Sequence, residues 1–461
     1  MGRHRWLVTL TYLAPFCLFV AVYAPRVGHG FIQDDYVWIL QSTSHGIADL
    51  ADLFRSDNGF YRPVVALTFA ANEWMFGAEP LGYGLTNVLL AGLCALAIGR
   101  LGVAFGLPRG AATLAAAMWL LNFHGIRMAV LWVSGRTALV LTLAAVLSAT
   151  ALVRGRGAVS IAWLVVALFA KEEAVLLPII LLGWLAFLQP WRGKTSWILW
   201  IGGAFAAELV YLTARAMTDA MLPGTAPLFY RFVFNPIAVA ENIVSYADRV
   251  ATFPVLLTLL LWAILGRPGM FADSRTRTMI RCAALWVVGA FGLTVFLPTR
   301  SDLYACLPAV GTCLIAAAVC GHFWKTSAAT ARSRALVVAL GLCIILGPVY
   351  HLRTERWVST AELATTTLAD LERETASLQD GAHVVITDDR SQRINLGSAF
   401  GTLLNEAYAL KTGRRLNLWI EPPPPNIDAA GLEPPCATCV DLRLGLTEGR
   451  LQQTTRLSHL K

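Results

Sequence analysis

The chain has 461 residues and a net charge of +8, with 56% hydrophobic and only 14% charged residues, against about 25% charge in an average soluble domain. With a mean hydropathy of +0.59, this excludes a water-soluble protein of that length. The basic balance calls for no nucleic-acid partner, because much of it lies in loops between apolar blocks, where topology and anionic membrane lipids account for it.

The apolar blocks run in order over 6–24, 83–98, 111–123, 137–153, 158–170, 174–188, 197–212, 252–265, 282–297, 303–323 and 335–350. A helical span needs about 17–25 residues, so several are short, and 111–123 and 158–170 would each rise only about 20 Å. Those two are either spans or core or re-entrant helices. Counting both gives about eleven spans. With Arg3 and Arg5 inside, this arrangement places Arg100, Arg109, Arg154, Arg156, Arg192, Lys194, Arg267, Arg275, Arg277, Arg281, Lys325, Arg332 and Arg334 in the cytoplasm, as the positive-inside bias requires. Dropping both short segments would preserve the later parity. The first block is expected to remain as a span, since Val22-Tyr23-Ala24-Pro25 is a poor signal cleavage site.

The long outer loops, 25–82 and 213–250, mix acids (Asp34, Asp35, Asp49, Asp52, Asp57, Glu73, Glu79, Asp219, Glu241, Asp248) with aromatic residues. Asn235-Pro236 suits a helix start, and the apolar spacing of 237–249 predicts a helix lying along the outer surface; 59–77 is a second candidate. Beyond His351 a soluble tail is expected, helical over 352–380, with strands at 383–387 and 416–420 flanking a helical stretch at 396–410. A polyproline run, Pro422-Pro423-Pro424-Pro425, follows. The fold class is therefore mainly α: a polytopic helical membrane domain over 1–351 and a small α/β tail over 352–461, extracytoplasmic after an odd number of spans. Cys436 and Cys439 form a CxxC without a second pair nearby. A zinc site normally needs four ligands, so a local disulfide or an incidental pair remains.

Chemistry concentrates on the outer side. Asp34 and Asp35 are adjacent carboxylates near a low-dielectric surface, where repulsion and desolvation raise a pKa. One can act as general base toward an acceptor hydroxyl; the pair can hold a divalent cation such as Mg or Mn; or both are a solvated acidic loop. Arg62, His124, Arg136, Lys171, Glu172, Arg300, Asp302 and Tyr304 recur at outer helix ends. Ionisable groups this close to hydrocarbon are usually paired or functional. The two short segments end at His124 and at Lys171, so their outer ends would sit below the surface. A recessed pocket lined by Arg and Lys suits the phosphate of a lipid carrier.

The ordered stretches Phe31-Ile32-Gln33-Asp34-Asp35-Tyr36, Tyr61-Arg62-Pro63, Phe76-Gly77-Ala78-Glu79-Pro80-Leu81-Gly82-Tyr83 with Asn87, Trp132-Val133-Ser134-Gly135-Arg136, Ala170-Lys171-Glu172-Glu173-Ala174 with Pro178, and Arg300-Ser301-Asp302-Leu303-Tyr304 with Leu307-Pro308 resemble the GT-C superfamily of polytopic glycosyltransferases. The protein O-mannosyltransferase group, with its transmembrane O-mannosyltransferase-like members, is the branch resembled over roughly 6–320. The resemblance implies transfer of a sugar from a polyprenyl-phosphate-linked donor to an envelope glycan, lipid or protein acceptor on the outer face, as in a bacterial inner membrane. It implies Asp34 at the catalytic centre with Asp35 beside it, and Arg300 near the donor phosphate. The sequence departs from the pattern at Gly84 and Ala91, where histidines are expected, and at Thr299, where an acid is expected. It also lacks a tetratricopeptide tail. These departures bear on mannose as the sugar and on protein as the acceptor. A transporter or flippase for lipid-linked sugars is the rival class, with Glu208 as its intramembrane acid, and a non-catalytic scaffold is a third.

Overall fold

The structure is a computed structural model that describes residues 2–42, 53–54, 59–188, 194–221, 226–266, 274–388, 394–423 and 439–455. Asp49, Asp52, Asp57, Arg192, Arg267, Pro424, Pro425 and Cys436 lie outside the described residues, so neither the middle of the first outer loop nor the CxxC pair is described.

Every apolar block is helical. In chain order the helices are α1 (Gly2–Tyr23), α2 (Asp35–Ser42), α3 (Pro63–Phe76), α4 (Pro80–Ala104), α5 (Arg109–Leu120), α6 (Gly125–Leu131), α7 (Arg136–Val153), α8 (Gly157–Leu168), α9 (Leu177–Leu188), α10 (Lys194–Ala216), α11 (Pro236–Leu265), α12 (Ser274–Ala290), α13 (Cys306–Thr326) and α14 (Ala329–Glu374). Seven helices among the described residues are long and apolar enough to cross a membrane, so the chain is a multi-pass membrane protein. An eighth crossing is available if α5 and α6, bent by 65° to one another, count as one broken span. That bend falls at 121–124, where the 111–123 segment ends. The helix of the 158–170 segment, Gly157–Leu168, is one of the shorter apolar helices. Length alone therefore supports seven or eight crossings, below the expected eleven.

The bundle is lipid-facing on its flanks and dense inside. Leu89, Ile179, Leu199, Phe205, Val288 and Ile344 are each more than 60% exposed, as expected where hydrocarbon replaces water. Inside, Trp119, Trp184 and Trp286 are buried, and each indole N–H donates at 2.8 Å to a backbone carbonyl, of Cys306, Cys282 and Leu307 respectively. Small residues allow close crossings: a side chain at Gly311 would strike the Ala283 carbonyl, so α12 and α13 meet through that glycine.

One expectation is corrected. Residues 237–249 do not form a separate surface helix. They are the N-terminal part of α11, continuous with the 252–265 span. The cap is as expected: the Asn235 side chain accepts from the Ile237 and Ala238 N–H groups, and Pro236 is the first helical residue. With Pro254 inside the helix and no breaker between 236 and 252, the amphipathic and apolar stretches share one backbone.

The tail continues directly from the bundle, since α14 is one 46-residue helix covering both the last span and most of 352–380. It leads to β1 (His383–Thr387), α15 (Leu396–Phe400), α16 (Leu404–Thr412), β2 (Asn417–Glu421), β3 (Leu442–Thr447) and β4 (Arg450–Thr455). The sheet order is β2-β1-β3-β4. β1 and β2 are parallel, so the βαβ reading holds, while the 396–410 stretch is broken at Gly401, with φ 57°. The last two strands were not among the expected elements, although Leu442, Leu444 and Leu446 alternate with Arg443, Gly445 and Thr447 along β3. Asp370 on α14 fixes β4 by accepting from Arg450 Nε and Nη2 at 2.8 and 2.7 Å. The tail does not bury its core alone: Val384, Ile386, Phe400, Tyr408 and Leu444 share one apolar cluster with Phe31, Tyr36, Trp38, Phe69 and Tyr83 of the first outer segment.

Candidate functional site

The adjacent acids have different fates. Asp35 begins α2 and is fully buried. Its Oδ1 accepts from the Ser134 N–H at 2.7 Å and from the Ser134 hydroxyl at 2.5 Å, and its Oδ2 accepts from the Ile32 N–H at 3.0 Å. Both oxygens are thus committed to tying the first outer segment to the turn before α7. Burial pushes its pKa up to about 7 against the opposing pull of these donors. Asp34 is only partly enclosed, and among the described residues its carboxylate makes no hydrogen bond or ion pair. Burial raises its pKa, and the nearby Arg62 guanidinium pulls it back. An unengaged, partly enclosed carboxylate with a raised pKa has the properties of a general base.

Arg62 is the N-cap of α3. Its Nε and Nη2 donate to the two Glu172 carboxylate oxygens at 2.8 and 2.5 Å, a bidentate pair, and its guanidinium lies 4.0 Å over the Phe60 ring. Burial lowers the Arg62 pKa, but Glu172 more than offsets this, so the net shift is upward and the charge is secure. Lys171 pairs with Glu173 and sits 5.0 Å over the Tyr304 ring. The α8 end and the α3 start are joined by the Val64 N–H donating to the Phe169 carbonyl at 3.2 Å. Asp34, Arg62, Lys171, Glu172 and Tyr304 therefore gather at one end of the bundle, drawn there by short α8 and by the turn before α3.

A second cluster centres on Asp302. Its carboxylate pairs with Arg127 at 3.1 Å, Arg249 at 3.3 Å and His124 at 3.8 Å. Arg353 adds a fourth base, 5.3 Å over the Phe123 ring, and its backbone carbonyl accepts from Arg127. Asn122 holds the bend between α5 and α6: its Oδ1 accepts from the His124 N–H at 2.9 Å and its Nδ2 donates to the Arg249 carbonyl at 3.1 Å. Cation and anion numbers do not balance here. Arg127 Nε, Arg249 Nη1 and Arg353 Nε are buried with no hydrogen-bond partner among the described residues, which is costly unless an anion fills the space.

An apolar groove of about 540 Å³ runs up to Phe123, the residue before His124. Its walls come from α1, α5, α11, α13 and α14, from Lys325 and Trp324 at one end to Leu121, Phe253 and Phe123 at the other. Phe253 to Leu265 alone covers about 18 Å of α11 at ~1.5 Å per residue. Phe123, next to His124 and under Arg353, is where groove and basic cluster meet.

Two residues expected at the phosphate are placed otherwise. Arg136 is 0% exposed and fixes helix packing: it donates to Asn87 Oδ1, Asn72 Oδ1 and the Thr68 and Tyr83 carbonyls, and stacks 4.2 Å over Phe69. Arg300 sits at an exposed rim, paired with Glu241 and bonded to Asn242 Oδ1, both at 2.7 Å. Arg127 stands in the polar stretch Phe123-His124-Gly125-Ile126-Arg127, whereas Arg249 and Arg353 were not singled out from sequence; an arginine in the amphipathic N-terminal part of α11 was the available signal for Arg249. Of the two carboxylates, Asp35 has both oxygens accepting N–H and O–H donors, and Asp34 accepts none among the described residues. Among the described residues no group of three His, Cys, Asp or Glu side chains converges as a metal site. The departure at Gly84 has a steric cause: a side chain there would run into the Val27 carbonyl.

No protein-family model matches the chain, and no curated protein matches it. Among solved structures, the apo crystal structure of the Archaeoglobus fulgidus oligosaccharyltransferase is similar with a TM-score of 0.47 and 11% identity, covering 90% of this chain and 64% of that one. The chain thus spans less than two thirds of that protein's length.

Proposed function

We propose that the protein is a membrane glycosyltransferase of the GT-C type that moves a sugar from a polyprenyl-phosphate-linked donor to an acceptor hydroxyl on the outer face. The observation that carries this reading is the apolar groove whose Phe123 wall lies against Arg353, in a cluster where three arginines have buried nitrogens without a partner among the described residues. The groove suits an isoprenoid chain, at about 0.8 kcal/mol per buried CH₂, and the arginines suit its phosphate. The ordered motifs around Asp34, Arg62, Lys171 and Asp302 support the same class.

In this scheme Asp34 accepts the proton of the acceptor hydroxyl. The acceptor oxygen forms a bond to the anomeric carbon as the bond from that carbon to the phosphate oxygen breaks. Arg127, Arg249 and Arg353 hold the leaving polyprenyl phosphate and offset its growing charge. Arg62–Glu172 and Lys171–Glu173 shape the wall between proton acceptor and phosphate. No step is assigned to a divalent cation, and chelation with added Mg or Mn checks whether one is needed. The acceptor class, an envelope glycan, lipid or protein in a bacterial inner membrane, belongs to the same proposal.

The test is Asp34→Asn in membranes, with transfer from a labelled polyprenyl-phosphate sugar as readout. The expected result is a loss of about 10²–10⁴-fold with normal insertion; retained transfer overturns the role of Asp34. In the wild type, the acid limb of the pH–rate profile should lie above the ordinary aspartate range, since the raised pKa of Asp34 delays its ionisation. A flippase is favoured by one observation: Glu208 lies within α10 with its Oε2 unpartnered among the described residues. Intact transfer in Asp34→Asn, with lipid flipping abolished by Glu208→Gln, would establish that alternative.

A further inference from the structure

The turn that carries Asp34 does not hold its shape unaided. Gln33 has φ 49°, a left-handed backbone that Cβ disfavours. Gly30, at φ 120°, lies so close to α14 that a side chain there would meet Thr365 and the Ala361 carbonyl. Local hydrogen bonds supply part of the restraint: Asp35 Oδ2 accepts from the Ile32 N–H, and the Tyr36 hydroxyl donates to the Phe31 carbonyl at 2.7 Å.

The remaining restraint comes from more than 360 residues away. The Gln33 backbone N–H donates to the Ala399 carbonyl, and its side-chain Nε2 donates to the Ser398 carbonyl, both at 2.9 Å. These carbonyls sit at the C-terminal end of α15, where a helix supplies no N–H donors for its last carbonyls. α15 is itself well anchored. Asn395 and Ser398 form a capping box at its start, and Asp388, just past β1, accepts from the Leu396 N–H at 2.9 Å. The Phe400 ring stacks on Tyr36 with centroids 5.9 Å apart.

We propose that α15 of the tail is a positioning element for Asp34: by accepting both donors of Gln33 it locks the 30–35 turn in the left-handed form that presents the Asp34 carboxylate. Gln33 is then a positioning residue, acting through its neighbour, and the tail is part of the active site. This inference rests on the reading of Asp34 as the proton acceptor. It accounts for a single apolar cluster shared by the tail and the first outer segment, and for a short helix with a complete cap facing a loop so distant in sequence.

The test uses the full-length protein in detergent or nanodiscs. Wild type, Gln33→Ala and Asn395→Ala are compared in sugar transfer and in hydrogen exchange of the 30–36 segment. Asn395→Ala weakens α15 without touching the turn. The expected result is faster exchange at 30–36 in both variants. For Gln33→Ala, kcat should fall about ten- to hundredfold, as for a small displacement of a reacting group, with donor KM within about threefold because the arginine cluster is untouched. Phe400→Leu, which keeps the tail core filled, replaces Asn395→Ala if that variant does not fold. Unchanged exchange at 30–36 overturns the proposal, and so does faster exchange with kcat within about twofold of wild type. If the wild-type chain transfers no sugar, the reading of Asp34 fails, and the exchange data still decide whether α15 holds the turn.

Discussion

Arg136 is fully buried and Arg127 half-buried, and they use their hydrogen-bonding capacity differently. Arg136 has four bonds to two asparagine side chains and two backbone carbonyls, with no carboxylate near enough to pair. Arg127 shares Asp302 with Arg249 and His124, and among the described residues its Nε has no partner, nor do Arg249 Nη1 and Arg353 Nε. The first arrangement is complete and reads as architecture; the second lacks an anion and reads as a binding place. Asp35 and Asp34 repeat the contrast one residue apart. In both pairs the fully buried group has its polar atoms engaged, and the half-buried one keeps an atom without a partner among the described residues.

The sharpest way to break this comparison is Arg136→Met. It strands Asn72, Asn87 and two carbonyls in the bundle, where an unsatisfied buried group costs about 1–3 kcal/mol. Folded yield in detergent should collapse, and Arg136→Lys should not restore it, because an ammonium lacks the planar fork; a well-folded Arg136→Met protein with impaired donor binding would reverse the assignment. Arg127→Gln should act oppositely, leaving folding intact and raising the donor KM about ten- to hundredfold, the value of a charge-assisted bond of about 1.5–3 kcal/mol. The Asp370–Arg450 pair is another completed site and tests the rule through pH. Arg450 holds the Asp370 carboxyl down to about 2, from 3.8. A depressed carboxylate contributes stability above its unfolded pKa and loses it as pH falls through the folded one. Asp370→Asn should therefore destabilise the tail at neutral pH, with the difference from wild type vanishing between about pH 4 and about pH 2, followed by hydrogen exchange of β4. The smallest effect belongs to Arg300→Gln. Its exposed pair with Glu241 is worth about 0–1 kcal/mol, so transfer should stay within about fivefold; a larger loss would return Arg300 to the phosphate.

Much of this was legible in the sequence where the signal is local. Apolar blocks became helices, Asn235-Pro236 became a capped start, and the stretches at 383–387 and 416–420 became paired strands. Asp34, Arg62, Lys171, Glu172 and Tyr304, each next to a helix end in the sequence, lie near one another in the fold. What was not legible depends on distant partners. Nothing in Val133-Ser134-Gly135-Arg136 reveals that Asn72, Asn87 and the Tyr83 carbonyl will consume its arginine. Nothing near Asp35 reveals that Ser134 will fill one of its oxygens. Arg353 lies beyond the apolar block that ends at Tyr350, so it read as the start of a soluble tail, whereas continuous α14 carries it to the Asp302 cluster. The fusion of 237–249 with 252–265 was hidden for a related reason: amphipathic and apolar spacing look like separate elements unless a breaker is sought between them.

The groove also determines how the protein's kinetics must be measured. A ligand whose chain lies among α1, α5, α11, α13 and α14 arrives from the bilayer, in two dimensions, and leaves by the same route. Its relevant concentration is then a mole fraction among lipids or detergent, with no fixed relation to moles per litre of solution. Adding empty micelles at constant donor should slow the reaction as if substrate had been removed, and a KM quoted per litre would change with every detergent ratio. Water-soluble acceptors would follow ordinary bulk kinetics in the same tube, so the two substrates of one reaction would obey different dilution laws.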